Sequence, residues 1–357
     1  MRAAAGKGWT GIVAILALLI AGSTLSLVIY DRASKKPFEE VKKFESEQML
    51  YLTGLARPVS NKLDIALWSD TNSDEVADAP VDAKLIVDPP TLKFSYIVDD
   101  REDFESKFSD LLGAIAKATG KKVEYQKFET TLEQLKAIRD GELLIAGLGT
   151  GTVPIAVDAA GFVPLAKMAD ASGAAVDQMQ ILVPVGSPIK SLDDLKGKSI
   201  DDNIITCTDA ASNSGFKAAL LALKKKDLLP GRDYRVVYSG SHAQSIESIR
   251  DGNCKMAPVS SVVLKRELAQ GIIKPEQFRS IYKSEDFPTA SIGVSARLKP
   301  EVTAKIREAL LGFKLTGSSM EYFTAEGSAQ FVPANFKNDW SLIRLYDEQT
   351  GAKHELP

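Results

Sequence analysis

Cysteine and histidine are almost missing from this chain of 357 residues, with two of each. Cys207 and Cys254 show no CxxC spacing and no histidines cluster near them, so the pattern does not suggest a zinc site or any other metal centre. Whether the two thiols pair in an oxidising compartment stays open at this level. Dense runs of Lys or Arg are also lacking and the net charge is −3, which argues against a nucleic-acid backbone as partner. Lys224-Lys225-Lys226 sits at the end of a predicted helix and reads as solvated charge favoured by the helix dipole. A Gly-x-Ser-x-Gly turn does not occur, so a hydrolase reading is weak. The GxGxxG spacing of dinucleotide folds is missing as well. No clustered nucleophile is found, and the pattern calls for no cofactor and no catalysis. With no short repeat and no low-complexity tract, and with 45% hydrophobic and 25% charged residues, the composition is that of a globular protein.

Charge is also absent from Gly11 to Tyr30, a stretch that would span about 30 Å as a helix, enough to cross a bilayer core. The apolar run continues past Ala21-Gly22-Ser23 through Leu25, Leu27, Val28 and Ile29, which favours an uncleaved anchor over a cleaved signal. Arg32, Lys35 and Lys36 beyond it outnumber Arg2 and Lys7 before it, so charge counting alone does not orient it. Residues 1–36 are therefore expected to be a transmembrane anchor or uncleaved signal, and residues 37–90 a stalk and irregular lead-in.

After Pro89-Pro90 the pattern becomes regular. Leu92, Phe94, Tyr96 and Val98 alternate as a strand, and Phe104, Phe108, Leu111, Leu112 and Ile115 recur at helical spacing up to Gly120. Strands near Val123 and Leu143–Leu148 flank a helix over Thr130–Arg139, giving a β-α-β-α-β series and so a parallel sheet. A second α/β series starts at Ile204. The chain is expected to form two α/β lobes around a hinged cleft: 91–185 with 290–357 as the first, 186–289 as the second. Pro258 in the strand Met256–Val259 suggests an edge or a bulge.

Three turns carry polar chemistry. Ser212-Asn213-Ser214-Gly215 lies between the run Ile204-Ile205-Thr206 and a helical run from Phe216, putting hydroxyl, amide and backbone N–H donors at a helix start. One cap residue would serve the helix; three consecutive donors exceed that need. Gly147-Leu148-Gly149-Thr150-Gly151-Thr152 would face the same cleft from the first lobe, although a plain strand-to-helix turn fits it equally. Ser239-Gly240-Ser241-His242 closes a third strand, with His242 able to donate to an anion. His354 is assigned to a mobile tail. Together the turns suggest an anion-binding cleft.

These turns, in this order, resemble the phosphonate and phosphite binding proteins of ABC importers, a branch of the periplasmic binding protein superfamily with the type II fold. The resemblance runs from about Leu92 to Tyr346 and includes Gly-Phe-Val-Pro after Ala160, Ser-Leu-Asp-Asp-Leu-Lys-Gly-Lys from Ser191, and Tyr-Lys-Ser-Glu-Asp-Phe-Pro from Tyr282. It implies that Ser212, Asn213 and Ser214 grip an oxyanion where relatives carry Ser-Thr-Ser-Gly, and that His242 contacts the ligand. It further implies first-lobe contacts near Tyr96 to Asp100 and at Thr150, Gly151 and Thr152. Where relatives often carry an acid after Gly252, this chain has Ser260, so a ligand without an ammonium group is expected: phosphate, phosphite or a plain phosphonate. The implied protein is a solute-binding component that hands its ligand to an ABC permease on the periplasmic or extracytoplasmic face, anchored to the inner membrane. The alternative is a membrane-anchored oxyanion sensor for a signalling partner.

Overall fold

The computed structural model describes residues 47–97 and 103–356. The expected membrane segment at Gly11–Tyr30 and the part of the expected Tyr96 to Asp100 contact stretch at residues 98–100 lie outside these residues. Among the described residues no helix is long and apolar enough to cross a membrane. From Gln48 onward the chain is one compact unit.

The first lobe begins with β1 (Thr91–Tyr96), whose Leu92, Phe94 and Tyr96 are buried. It continues through α1 (Ser109–Thr119), which buries Leu111, Leu112 and Ile115 and ends on left-handed Gly120. Next come β2 (Lys122–Tyr125), α2 (Thr131–Asp140), capped by the Thr130 hydroxyl accepting from Glu133 N–H, and β3 (Ile145–Leu148). After α3 (Val153–Ala160) the chain enters β4 (Phe162–Ala169). β1 pairs in parallel with both β2 and β3, as alternating β and α segments require.

β5 (Val176–Pro184) does not join that sheet. It pairs antiparallel with β8 and β9 of the second lobe, so the crossing between sheets lies ahead of Val176 and not at the expected boundary of 185. Its apolar run looks the same whichever partner it finds. The second lobe then forms β6 (Ile204–Cys207), a π-turn at Asn213–Lys217 leading into α4 (Ala218–Lys224), β7 (Arg235–Tyr238), α5 (His242–Arg250), β8 (Ala257–Ser260), α6 (Ser261–Ala269) and β9 (Phe278–Pro288). β6 and β7 pair in parallel, and β8-β5-β9 form a three-stranded sheet with β8 at its edge, where Pro258 is tolerated. Its core gathers Leu182, Ile246, Val259 and Leu264.

β10 (Ser291–Ser295) returns to the first lobe and inserts antiparallel between β3 and β4, so the sheet order is β11-β4-β10-β3-β1-β2. α7 (Pro300–Leu311), α8 (Gly317–Ala325), β11 (Gln330–Pro333) and α9 (Ser341–Thr350) complete the chain. Phe108 packs with its ring 4.5 Å from Tyr96 and 5.4 Å from Phe323, tying α8 to the sheet.

The lead-in is docked. Trp68 lies on Gly161, where any Cβ would stand 2.5 Å from the indole, and the Arg297 guanidinium sits 5.2 Å from the ring. The tail is docked too: His354 is buried between Asp158 and Asp347, which corrects its reading as mobile. Cys207 and Cys254 are free thiols. Lys225 and Lys226 pair at the surface with Glu285 and Asp193.

Candidate functional site

A cleft of about 360 Å³ opens between the lobes, and it is lined by all nine residues singled out from the sequence: Tyr96, Thr150, Gly151, Thr152, Ser212, Asn213, Ser214, His242 and Ser260. They reach it from different elements and in different states of hydrogen bonding.

On the second-lobe side, the chain leaves β6 and turns on Asp209, whose carboxylate accepts from Ala211 N–H at 2.8 Å and Ser212 N–H at 3.0 Å. The Ser212 hydroxyl accepts from Gly215 N–H at 3.0 Å, so this residue is the helix cap. The first turn is wound as a π-turn, with Ala218 N–H donating to Asn213 C=O. This extra residue in the turn is a frequent mark of functional sites. Gly215 is required because a Cβ there would lie 2.1 Å from Thr208 Oγ1. With the cap supplied by Ser212, both polar atoms of the Asn213 side chain are buried without a hydrogen-bond partner among the described residues. Asn213 is only 1% exposed.

His242 starts α5, which is capped by Ser241 accepting from Gln244 N–H at 3.2 Å. Its Nδ1 accepts from Ser260 N–H at 3.2 Å, which assigns the proton of the neutral ring to Nε2. Nε2 points toward Ser214 Oγ at 3.4 Å. Desolvation, with the Arg266 charge behind it, pushes the ring pKa down to about 4. His242 is thus a neutral N–H donor at ordinary pH.

The Ser260 hydroxyl lines the cleft but is already engaged. It donates to Asp177 Oδ2 at 2.7 Å and accepts from Val263 N–H at 3.3 Å as the cap of α6. Asp177 also accepts from Ser261 Oγ, Val262 N–H and Gln178 N–H, while burial pushes its pKa upward.

The first-lobe turn between β3 and α3 has its carbonyls occupied. Gly149 C=O accepts from Thr152 N–H, Thr150 C=O from the Trp340 indole at 3.0 Å, and Gly151 C=O from the Lys217 ammonium at 3.1 Å. The Thr150 hydroxyl, by contrast, is buried with no partner among the described residues. Gly151 lies against the opposite turn so closely that a Cβ would stand 2.3 Å from Ala211 O and Asn213 N. Tyr96 reaches the cleft because Gly147 leaves room for its ring; a Cβ at Gly147 would lie 2.0 Å from it.

The cleft also holds residues that sequence reasoning missed. Arg266 of α6 donates to Tyr322 OH at 2.6 Å and to Glu326 at 2.7 Å, so a buried ion pair crosses from the second lobe to α8 of the first. Burial pushes the Glu326 pKa up even beside that guanidinium. A lone Arg in a helical run such as Val262–Leu268 reads as exposed, and only the approach of α8 buries it. Among the described residues no three His, Cys, Asp or Glu side chains are grouped to hold a metal.

This geometry can hold a small anion: neutral donors, a helix start, and polar groups from both lobes converge on one volume. A family model described as ABC transporter, phosphonate, periplasmic substrate-binding protein matches residues 96–340. The phosphate-import protein PhnD of Mycolicibacterium smegmatis is 22% identical over 281 residues, covering 74% of this chain and 85% of that protein. Among solved structures, a binding protein component of an ABC phosphonate transporter from Pseudomonas aeruginosa superposes with a TM-score of 0.65 at 19% identity, covering 74% of this chain and 88% of that one. PhnD1 from Prochlorococcus marinus, solved with methylphosphonate, gives 0.63 at 14% identity, covering 74% and 99%. At these identities the structures speak to the fold: a two-lobed periplasmic binding protein.

Proposed function

This chain belongs to the phosphonate periplasmic substrate-binding proteins of ABC transporters, and from that premise we propose that it captures phosphate, phosphite or a plain phosphonate and delivers it to an ABC permease. Such work is extracytoplasmic, and the family consists of transport components and not enzymes. Residues 11–30 would tether the protein to the membrane, in keeping with their uncharged composition. The sensor alternative gains no support from the family.

The observation that carries the reading is the pairing of Asn213 and Thr150. Both are buried, both have polar side-chain atoms without a protein partner among the described residues, and they come from opposite lobes into one cleft. Such an unsatisfied group costs about 1–3 kcal/mol, a cost that a ligand accepting or donating at that point removes. Since each lobe supplies part of the donor set, ligand binding favours the closed arrangement.

Binding would proceed without a cationic side chain on the oxyanion. Asn213 Nδ2, Ser214 Oγ, the His242 Nε2 proton and the first N–H groups of the helix from Asn213 donate from one side, and Thr150 Oγ1 donates from the other. The ligand is expected to lack an ammonium group. Ser260 replaces an acid, the Asp177 carboxylate behind it already accepts four hydrogen bonds, and Glu326 is held by Arg266, so neither of these buried carboxylates is free to pair with an amine. Titration calorimetry with phosphate, phosphite and methylphosphonate tests this. Heat with at least one is expected, and no heat with any of them would sink the assignment.

A further inference from the structure

Behind the cleft, and outside its lining, four ionisable side chains form a buried line. The Asp158 carboxylate of α3 meets His354 Nδ1 at 2.5 Å, and His354 Nε2 meets Asp347 Oδ2 of α9 at 3.0 Å. Asp347 Oδ1 meets the Lys217 ammonium at 2.5 Å, and that ammonium also donates to Gly151 C=O. Lys217 and Asp347 are fully buried.

Ionised carboxylates only accept, so a ring facing one at each nitrogen must donate from both and carry a positive charge. The line therefore alternates minus, plus, minus, plus and is neutral as a whole. It starts in the first lobe, runs through the tail and α9, enters the second lobe at Lys217, and ends on the carbonyl of the first-lobe turn that touches Asn213. Trp340, just before α9, holds the neighbouring carbonyl of Thr150. Nothing in this line reaches the cleft itself, so its members can act on a ligand only through the two turns.

We infer that the C-terminal segment is a positioning strap, in which the buried line Asp158–His354–Asp347–Lys217 holds the Gly149–Thr152 turn against Ser212–Gly215, and that the strap holds only while His354 keeps both protons. Its meaning for ligand capture rests on the reading of these turns as oxyanion donors. Once the ring is neutral it donates to one carboxylate only, which leaves the facing oxygen of the other without a donor and the line with a net negative charge. The charged groups near the ring come from every side: Asp158 and Asp347 in contact, and Lys62, Asp64, Arg139 and Glu355 along the cavity beside it, two of each sign. Burial alone would lower the ring pKa, but the two carboxylates outweigh it and the pKa is raised. The strap is accordingly intact below the 6.5 of an ordinary imidazole and loosens as pH rises through that raised value.

Hydrogen exchange on the ligand-free protein reads the strap directly, at residues 150–152 and 212–215, comparing the parent with His354→Gln and with Asp158→Asn. At about pH 6 both variants are expected to exchange in these turns about tenfold faster than the parent, and the ratio to shrink toward one at alkaline pH as the parent loses its own proton. The intrinsic pH dependence of exchange divides out of the ratio. Asp158→Asn keeps the Lys217–Asp347 pair, so it reports even if His354→Gln fails to fold. Exchange in the two turns unchanged within about twofold in a folded variant, with only the melting temperature lowered, would overturn the inference. Calorimetry with methylphosphonate on the same proteins separates the two readings. A parent that binds no oxyanion but shows the exchange response sinks the ligand assignment and leaves the strap standing. A parent that binds, with unaltered exchange in the variants, sinks the strap alone.

Discussion

The donor wall of the cleft and the junction behind it contain one histidine each, and the two rings are driven in opposite directions. His242 faces a serine hydroxyl and a backbone N–H; desolvation dominates and its pKa falls to about 4. His354 lies between two carboxylates, which overcome a desolvation of the same sign and raise it. Burial therefore does not decide the charge of an enclosed imidazole; its partners do. The cleft leaves the Asn213 amide and the Thr150 hydroxyl without a protein partner among the described residues and keeps His242 neutral, whereas the junction satisfies every charge within the protein. The first arrangement leaves buried polar atoms unsatisfied at a cost in stability, and the second contributes order.

The contrast can be broken most forcefully at Lys217. Lys217→Met strands the Asp347 carboxylate in a dry site with only His354 beside it, and is expected to cost about 3–5 kcal/mol in urea unfolding. A loss below about 1 kcal/mol would mean that the junction is not as closed as its geometry indicates. Gly151→Ala should act on closure instead. The added Cβ meets Ala211 O and Asn213 N at 2.3 Å and pushes the turns apart, weakening oxyanion binding by about 2 kcal/mol in calorimetry with little change in the melting of either lobe. Asn213→Ala sharpens the comparison from the other side. It removes buried polar atoms that have no protein partner, so affinity should fall about tenfold to a hundredfold while stability stays level or rises. Equal losses of stability and affinity would erase the distinction between the two regions.

The smallest effects concern pH. The folded-state pKa of His242 lies below the 6.5 of a free imidazole, so on acidification the unfolded chain takes up a proton first, and stability falls between pH 6.5 and 4. The folded-state pKa of His354 is raised, so its contribution is complete below 6.5 and is lost as pH rises through the folded value. Denaturation profiles should show His242→Asn flattening the acid limb and His354→Gln flattening the alkaline limb. Both substitutions acting on the same limb would contradict the assignment of charge to the two rings.

Much of the site was legible because its signals are local. A glycine at a helix end, a serine before a helix, or a threonine between glycines has the same consequence wherever the segment is placed, so Ser212–Gly215, Thr150–Thr152 and His242 could be read as turns and as donors. Local signals also misled. Ser212 reads from the sequence as one of the donors and Ser260 as the place of a missing acid, yet their hydroxyls serve as caps for the segments that follow. The run at Val176–Pro184 is apolar and extended in either lobe, and pairing with β8 and β9 settled its place. Arg266 and Glu326 meet only because α8, far along the chain, is packed against α6 beside the cleft.

By itself the amino-acid order determined the alternation of strands and helices, the positions where helices begin and end, and the presence of neutral donors at three turns, since each depends on spacing within a few residues. Only the tertiary structure decided which donors stay unsatisfied, which histidine is charged, and that a tail taken as loose is held by carboxylates from α3 and α9. Hydrogen bonding and desolvation depend on what comes to lie nearby in space, and residues such as Asp158 and His354 become neighbours only when the chain has folded.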